Sequence, residues 1–177
     1  MAKRSAHRPA EVENFLGTTN GDRKMELYFL RHGEADWPNW KKPDDERPLT
    51  KHGKKEMCEV AAFLKGVKAR PDLIVTSPLP RASQTAEIAA ERLKVKLRED
   101  KLLAPGFDRA DLERLLRKYP EESLMIVGHE PDFTEVISEL TGASLKLSKA
   151  GTALVELHHS WRNGRLLWLF PPKIATA

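Results

Sequence analysis

From Met25 onward the sequence alternates short apolar runs with amphipathic segments, and that alternation leaves few folds open. "MELYFL" has the length and continuity of a buried strand. Thr50 stands where an N-cap would, and Met57, Val60, Ala61 and Leu64 then recur at i, i+3, i+4 and i+7, with Gly66 to close a first helix. "DLIVT" reads as a second strand. Ser77 and Pro78 form an N-cap and N1 pair before a helix with Ala82, Ala86, Ala89 and Leu93 on its inner stripe. "KVKLRE" is a short strand, Asp108 caps a helix carrying Leu112, Leu115, Leu116 and Tyr119, and Pro120 stops it. "SLMIVG" is a further strand, and Pro131 starts a helix with Phe133, Val136, Ile137 and Leu140 inward and Gly142 at its end. "TALVEL" and "RLLWLF" flank "HHSWRNG", in which Asn163-Gly164 signals a hairpin. Successive strand–helix units imply right-handed crossovers and parallel pairing, and the hairpin adds antiparallel strands. The expected fold is therefore a three-layer α/β/α sandwich around a mixed, mostly parallel sheet.

At 177 residues the chain is the size of one ordinary domain. We expect a polar leader at residues 1–24 and a domain at 25–177. The leader has basic residues but no apolar run after them, so it does not read as a secretory signal. "PNWKKPDDERP", Pro38 to Pro48, reads as a weakly ordered linker because proline and charge dominate it. One cysteine, Cys58, excludes an internal disulfide, and no apolar run reaches the ~20 residues of a membrane span. A soluble protein of a reducing, cytoplasmic compartment is expected, with no membrane partner. The net charge of +4 comes from 30 basic and 26 acidic residues spread along the chain, without a basic cluster interleaved with aromatics. That argues against nucleic acid and is compatible with anionic substrates.

In an open α/β sheet, ligands collect beyond the carboxyl ends of the strands, where loops converge and helix N-termini expose free N–H groups. Arg31 and His32 follow the first strand, Arg81 lies in the first turn of the helix after the second, and His129 follows "SLMIVG". Two guanidiniums offer planar donor forks to phosphate oxygens, and a neutral imidazole is a nucleophile to which a phosphoryl group can be transferred. Such an arrangement needs neither metal nor cofactor. Taken singly, each histidine would read as a capped or core residue; the four together point to phosphoryl chemistry.

The blocks "LRHGEA", "TSPLPRASQTAEIA" and "LMIVGHEP" resemble, in that order, the signature of the histidine phosphatase superfamily, over about Met25 to Phe170. The short chain, "ERPLTKHGKKE" and "HEPDF" look most like its SixA-type phosphohistidine phosphatases. The resemblance implies a phosphoglycerate mutase-like fold and His32 as the nucleophile of a phosphohistidine intermediate. It also implies that Arg31, Arg81 and His129 complete a phosphate pocket, which Gly33 would adjoin by letting the backbone turn tightly. Many members carry a proton-donating acid in an insertion between the second helix and the second histidine. Here that interval, Glu91 to Leu124, has room only for a strand, a loop and a helix. Asp108 and Asp111 are the nearest candidates for the acid, but both read better as residues of a helix N-terminus.

Glu34 is a candidate proton donor or neighbour of His129 or of another basic group, with a solvated loop carboxylate as the alternative. Ser77 reads as a cap, and His7, His52, His158 and His159 lack metal-ligand company. Trp37 and Trp40 are candidates for one wall of the site. The expected partner is a phosphohistidine-bearing phosphotransfer protein. Two other readings stay open: a phosphomonoesterase for a small phosphorylated metabolite, and a phosphate-dependent binding module with little turnover. A pure binder has no need of a nucleophile at His32.

Overall fold

The computed structural model describes residues 24–158 and 161–175. The expected leader thus falls outside the described residues, apart from Lys24, which begins the first strand. Ten principal elements follow in the order β1 (Lys24–Arg31), α1 (Lys51–Gly66), β2 (Leu73–Thr76), α2 (Pro80–Leu93), β3 (Lys96–Glu99), α3 (Arg109–Lys118), β4 (Ser123–Gly128), α4 (Asp132–Thr141), β5 (Thr152–His158) and β6 (Gly164–Phe170).

The strands form one sheet of order β3-β2-β4-β1-β5-β6. β3, β2, β4 and β1 are mutually parallel, β5 pairs antiparallel with β1, and β6 pairs antiparallel with β5. The mixed, mostly parallel sheet is the one the alternation implied. From β1 the chain steps outward through β2 to β3, then returns to insert β4 between β2 and β1. Right-handed crossovers put helices on one face during the outward steps and on the other during the return.

The two cores obey that rule. Alternate strand residues Tyr28, Leu30, Ile74, Met125 and Val127 pack with Met57, Val60 and Leu64 of α1 and with Ala82, Ala86 and Ala89 of α2. Their neighbours Leu27, Phe29, Val75, Leu124 and Ile126 face Leu112, Leu115 and Leu116 of α3 and Phe133, Val136, Ile137 and Leu140 of α4. Each Val, Leu, Ile, Phe or Met side chain among them contributes about 1.5–3 kcal/mol when fully buried. Phe133 anchors the second core, with its ring edge-on to Phe29 at 5.2 Å between centroids and to Phe107 at 5.8 Å.

Local signals hold with small shifts. Thr50 caps α1 by accepting the Gly53 N–H at 2.9 Å, Asp108 caps α3 by accepting that of Asp111 at 2.8 Å, and Gly142 ends α4 in the left-handed region. α1 runs through Gly66, and the left-handed residue beyond it is Lys68. α2 begins at Leu79 and Pro80 rather than at Ser77 and Pro78, and the Ser77 hydroxyl accepts the Leu79 N–H at 3.3 Å and pairs with His129. The hairpin tip precedes Asn163-Gly164: Asn163 already pairs with His158, and Gly164 with Leu157.

The segment from Pro38 to Pro48 is not the loose linker its composition suggested. It contains a 3-10 turn at Asp44–Glu46, and indole N–H groups bracket it, Trp37 donating to the Pro48 carbonyl and Trp40 to that of Pro43, both at 2.9 Å. Both indole N–H groups are thus paired within their own loop. Charged side chains tie the loop to the body as well, Asp44 to Arg81 within the segment and Asp36 to Lys149 just before it.

Candidate active site

Three adjacent parallel strands end level with one another. Arg31 of β1 is paired with Gly128 of β4, and Thr76 of β2 with Val127. The ladder runs one residue further on each side, His32 N–H donating to the Gly128 carbonyl at 3.1 Å and Ser77 N–H to that of Val127 at 2.9 Å. His32, His129 and Ser77 therefore leave the same carboxyl edge of the sheet. The two imidazole rings stand 5.3 Å apart between centroids.

His32 is oriented by its own backbone. Nδ1 lies 2.8 Å from the Gly33 carbonyl, which can only accept, so Nδ1 carries the proton and Nε2 a lone pair. Burial, reinforced by the charges of Arg81, Arg31 and Arg47, lowers the His32 pKa to about 4 against the pull of that hydrogen bond. His129, 4% exposed, is lowered to about 3 by burial, then by His32, Arg81 and Arg31. Both rings are neutral at physiological pH, as a nucleophile must be.

His129 Nε2 lies 2.8 Å from the hydroxyl of fully buried Ser77. That hydroxyl already accepts the Leu79 N–H at 3.3 Å, so its own proton is available to His129 Nε2. With the hydroxyl donating to Nε2, the imidazole proton sits on Nδ1; that atom is buried and makes no hydrogen bond among the described residues. Buried Nε–H groups of Arg31 and Arg81 are in the same condition. Unpaired buried donors cost free energy, and an anion that accepted from them would recover it.

Arg31 is held by donation from Nη1 to the Leu147 carbonyl at 2.9 Å. Arg81, in the first turn of α2 and 6% exposed, donates from Nη1 to the Asp44 carbonyl at 2.8 Å and pairs through Nη2 with the Asp44 carboxylate at 3.3 Å. Thr85 locks the first turn of α2 to the first loop: its hydroxyl accepts the Gly33 N–H at 3.0 Å and donates to the Arg81 carbonyl at 2.7 Å. Gly33 itself is not in the left-handed region, and its N–H is spent on Thr85. A Cβ there would press on Met57 of α1 at 3.0 Å and on Leu49 at 3.2 Å, so what constrains the position is space rather than a left-handed turn.

The candidate acids are placed away from the imidazoles' partners. Glu34 accepts from the Thr50 hydroxyl at 2.8 Å and lies 3.7 Å from His52 Nε2, at the start of α1, rather than on His129. Asp108 is exposed and capping α3. Three residues that sequence reasoning did not bring to the site belong beside it. Ser77 was a cap by pattern, although its place just past a buried strand puts it on the same sheet edge. Asp44 was hidden in a charged loop. Glu130, half-buried and adjacent to His129, accepts from the Thr134 N–H at 3.1 Å and hydroxyl at 2.6 Å. Burial raises its pKa, with Thr134 and Arg31 opposing.

A family model described as the histidine phosphatase superfamily (branch 1) matches residues 27–105. Among curated proteins, an uncharacterized protein of Picosynechococcus sp. is 42% identical over 137 residues, 72% of this chain and 82% of that protein. The phosphohistidine phosphatase SixA of Escherichia coli is 28% identical over 155 residues, 84% of this chain and 94% of SixA. A solved structure of the protein histidine phosphatase SixA complexed with tungstate superposes with a TM-score of 0.75 at 28% identity, covering 85% of this chain and 99% of that one.

Proposed function

We propose that this chain, which belongs to the histidine phosphatase superfamily, is a phosphatase that works by phosphoryl transfer to His32 and takes phosphohistidine as its substrate. In the first step His32 Nε2 attacks phosphorus, the bond from phosphorus to the substrate imidazole breaks, and the departing nitrogen takes a proton from solvent. Arg31, Arg81 and the Nδ1–H of His129 stabilise charge on the transferring oxygens. Water then attacks the phosphorus on His32, releasing inorganic phosphate and the free imidazole. The related SixA was solved in complex with tungstate, a tetrahedral oxyanion like phosphate, which supports an oxyanion ligand for this chain.

The observation that carries the substrate class is the interval from α2 to β4. It contains β3, a 3-10 turn and α3. Its candidate acids are committed, Asp108 to the α3 cap and Asp111 to Arg114 at 3.0 Å. An alkoxide leaving group needs a proton donor far more than an imidazole does. A pocket without an inserted lid from this interval also admits a side chain displayed on another protein's surface.

Turnover of a phosphohistidine-bearing phosphotransfer domain, compared with a panel of small phosphoesters, tests the assignment. Higher kcat/KM on the domain by orders of magnitude is expected. The reverse order would make the protein a phosphomonoesterase instead.

A further inference from the structure

A single carboxylate bridges two guanidiniums at the edge of the site. Asp44 Oδ1 lies 2.6 Å from Arg47 Nη2, and Oδ2 lies 3.3 Å from Arg81 Nη2. The turn that carries Asp44 is fixed by its main chain, whose carbonyl accepts from Arg81 Nη1 at 2.8 Å and from the Arg47 N–H at 3.2 Å. Arg81 is almost wholly buried, Arg47 is mostly buried, and the Asp44 side chain is two-thirds exposed (7%, 25% and 66%). The carboxylate is therefore the solvent-facing partner, and the two guanidiniums lie beneath it.

Both guanidiniums act on the nucleophile, since the charges of Arg81 and Arg47 each disfavour protonation of His32. Arg47 has a second carboxylate within reach, Asp36 at 4.0 Å, and Asp36 is itself bonded to Lys149. Two donor forks bridged by two oxygens of one anion present the geometry that a phosphoryl group's oxygens would use.

We propose that Asp44 is a built-in competitor of the substrate phosphoryl group, and that Arg47, released when Asp44 is displaced, is a further phosphate-binding residue. This rests on the pocket proposed above. Two oxygens of the phosphoryl group replace the two oxygens of Asp44, and the carboxylate moves to solvent. The exchange selects for charge: a dianionic phosphoryl group outcompetes a tethered monoanion, whereas a sulfate ester or carboxylate with one charge gains little.

Inorganic phosphate is the probe, with its Kd measured calorimetrically at fixed ionic strength for the wild type, Asp44→Asn, Asp44→Ser and Arg47→Ala. Both Asp44 variants are expected to bind phosphate about fivefold more tightly, the size of an ion pair with one exposed partner. Arg47→Ala is expected to bind it about tenfold more weakly. If Asp44 instead positions Arg81 for phosphate, both Asp44 variants will bind more weakly, and that result, or no change, overturns the competitor role. Unchanged affinity in Arg47→Ala removes Arg47 from the pocket. A wild type that binds no phosphate overturns the pocket itself, whereas intact binding without turnover of phosphohistidine overturns only the proposed substrate.

Discussion

Acidification should destabilise this protein through His32 and His129 before it touches most carboxylates. The pKa values of about 4 and about 3 lie below the ~6.5 of an imidazole in the unfolded chain. As pH falls through ~6.5 the unfolded chain takes up these protons and the native state does not, so stability is complete above that pH and declines below it. The decline ends near pH 4 for His32 and near pH 3 for His129, where the native rings protonate too. At about pH 5 the unfolded chain has gained roughly 2 kcal/mol per buried histidine, from 1.5 pH intervals at about 1.4 kcal/mol each. Urea unfolding of the wild type and of His32→Asn at about pH 7.5 and about pH 5 isolates one of the two: the wild type should lose about 2 kcal/mol more than the variant. Imidazole NMR titration gives the same quantity residue by residue. Equal losses in the two proteins, or a His32 titration near 6.5, would refute a desolvated, neutral nucleophile.

Ser77→Ala removes the hydroxyl paired with His129 Nε2 and should cost about 1–3 kcal/mol in urea unfolding, the penalty of a buried polar group left without a partner. The same variant should shift the imidazole nitrogen resonances toward the other tautomer and lower kcat; unchanged resonances would mean that Ser77 does not set the proton position. Asp108→Ala should cost about 1 kcal/mol as a lost helix cap and leave kcat on a phosphoester near the wild-type value. A fall in kcat by orders of magnitude would identify Asp108 as the proton donor after all.

Strand and helix periodicity made the layers legible before any coordinates, because each apolar stripe has to face one side of a sheet or another. The carboxyl-edge rule likewise brought Arg31, His32, Arg81 and His129 to neighbouring loops, since it depends only on strand direction. What stayed hidden was anything decided by side chains of distant segments. "SPLP" offers two proline starts for α2; the helix takes the second, with Ser77 held against His129 at the sheet edge. "DDERP" has the composition of a solvated loop, yet Asp44 is fixed by the buried guanidinium of Arg81, 37 residues on. Gly33 carried a turn signal, but the constraint on it comes from Met57 and Leu49 across the loop.

Rapid quench of the enzyme during turnover, followed by mapping of the phosphorylated residue, tests transfer to His32 most directly. A phosphorus–nitrogen linkage on His32 is expected, labile in acid and stable in base, and absent from His32→Ala. An enzyme that turns over without ever carrying phosphate on His32, or a His32→Ala variant that retains activity, would contradict it.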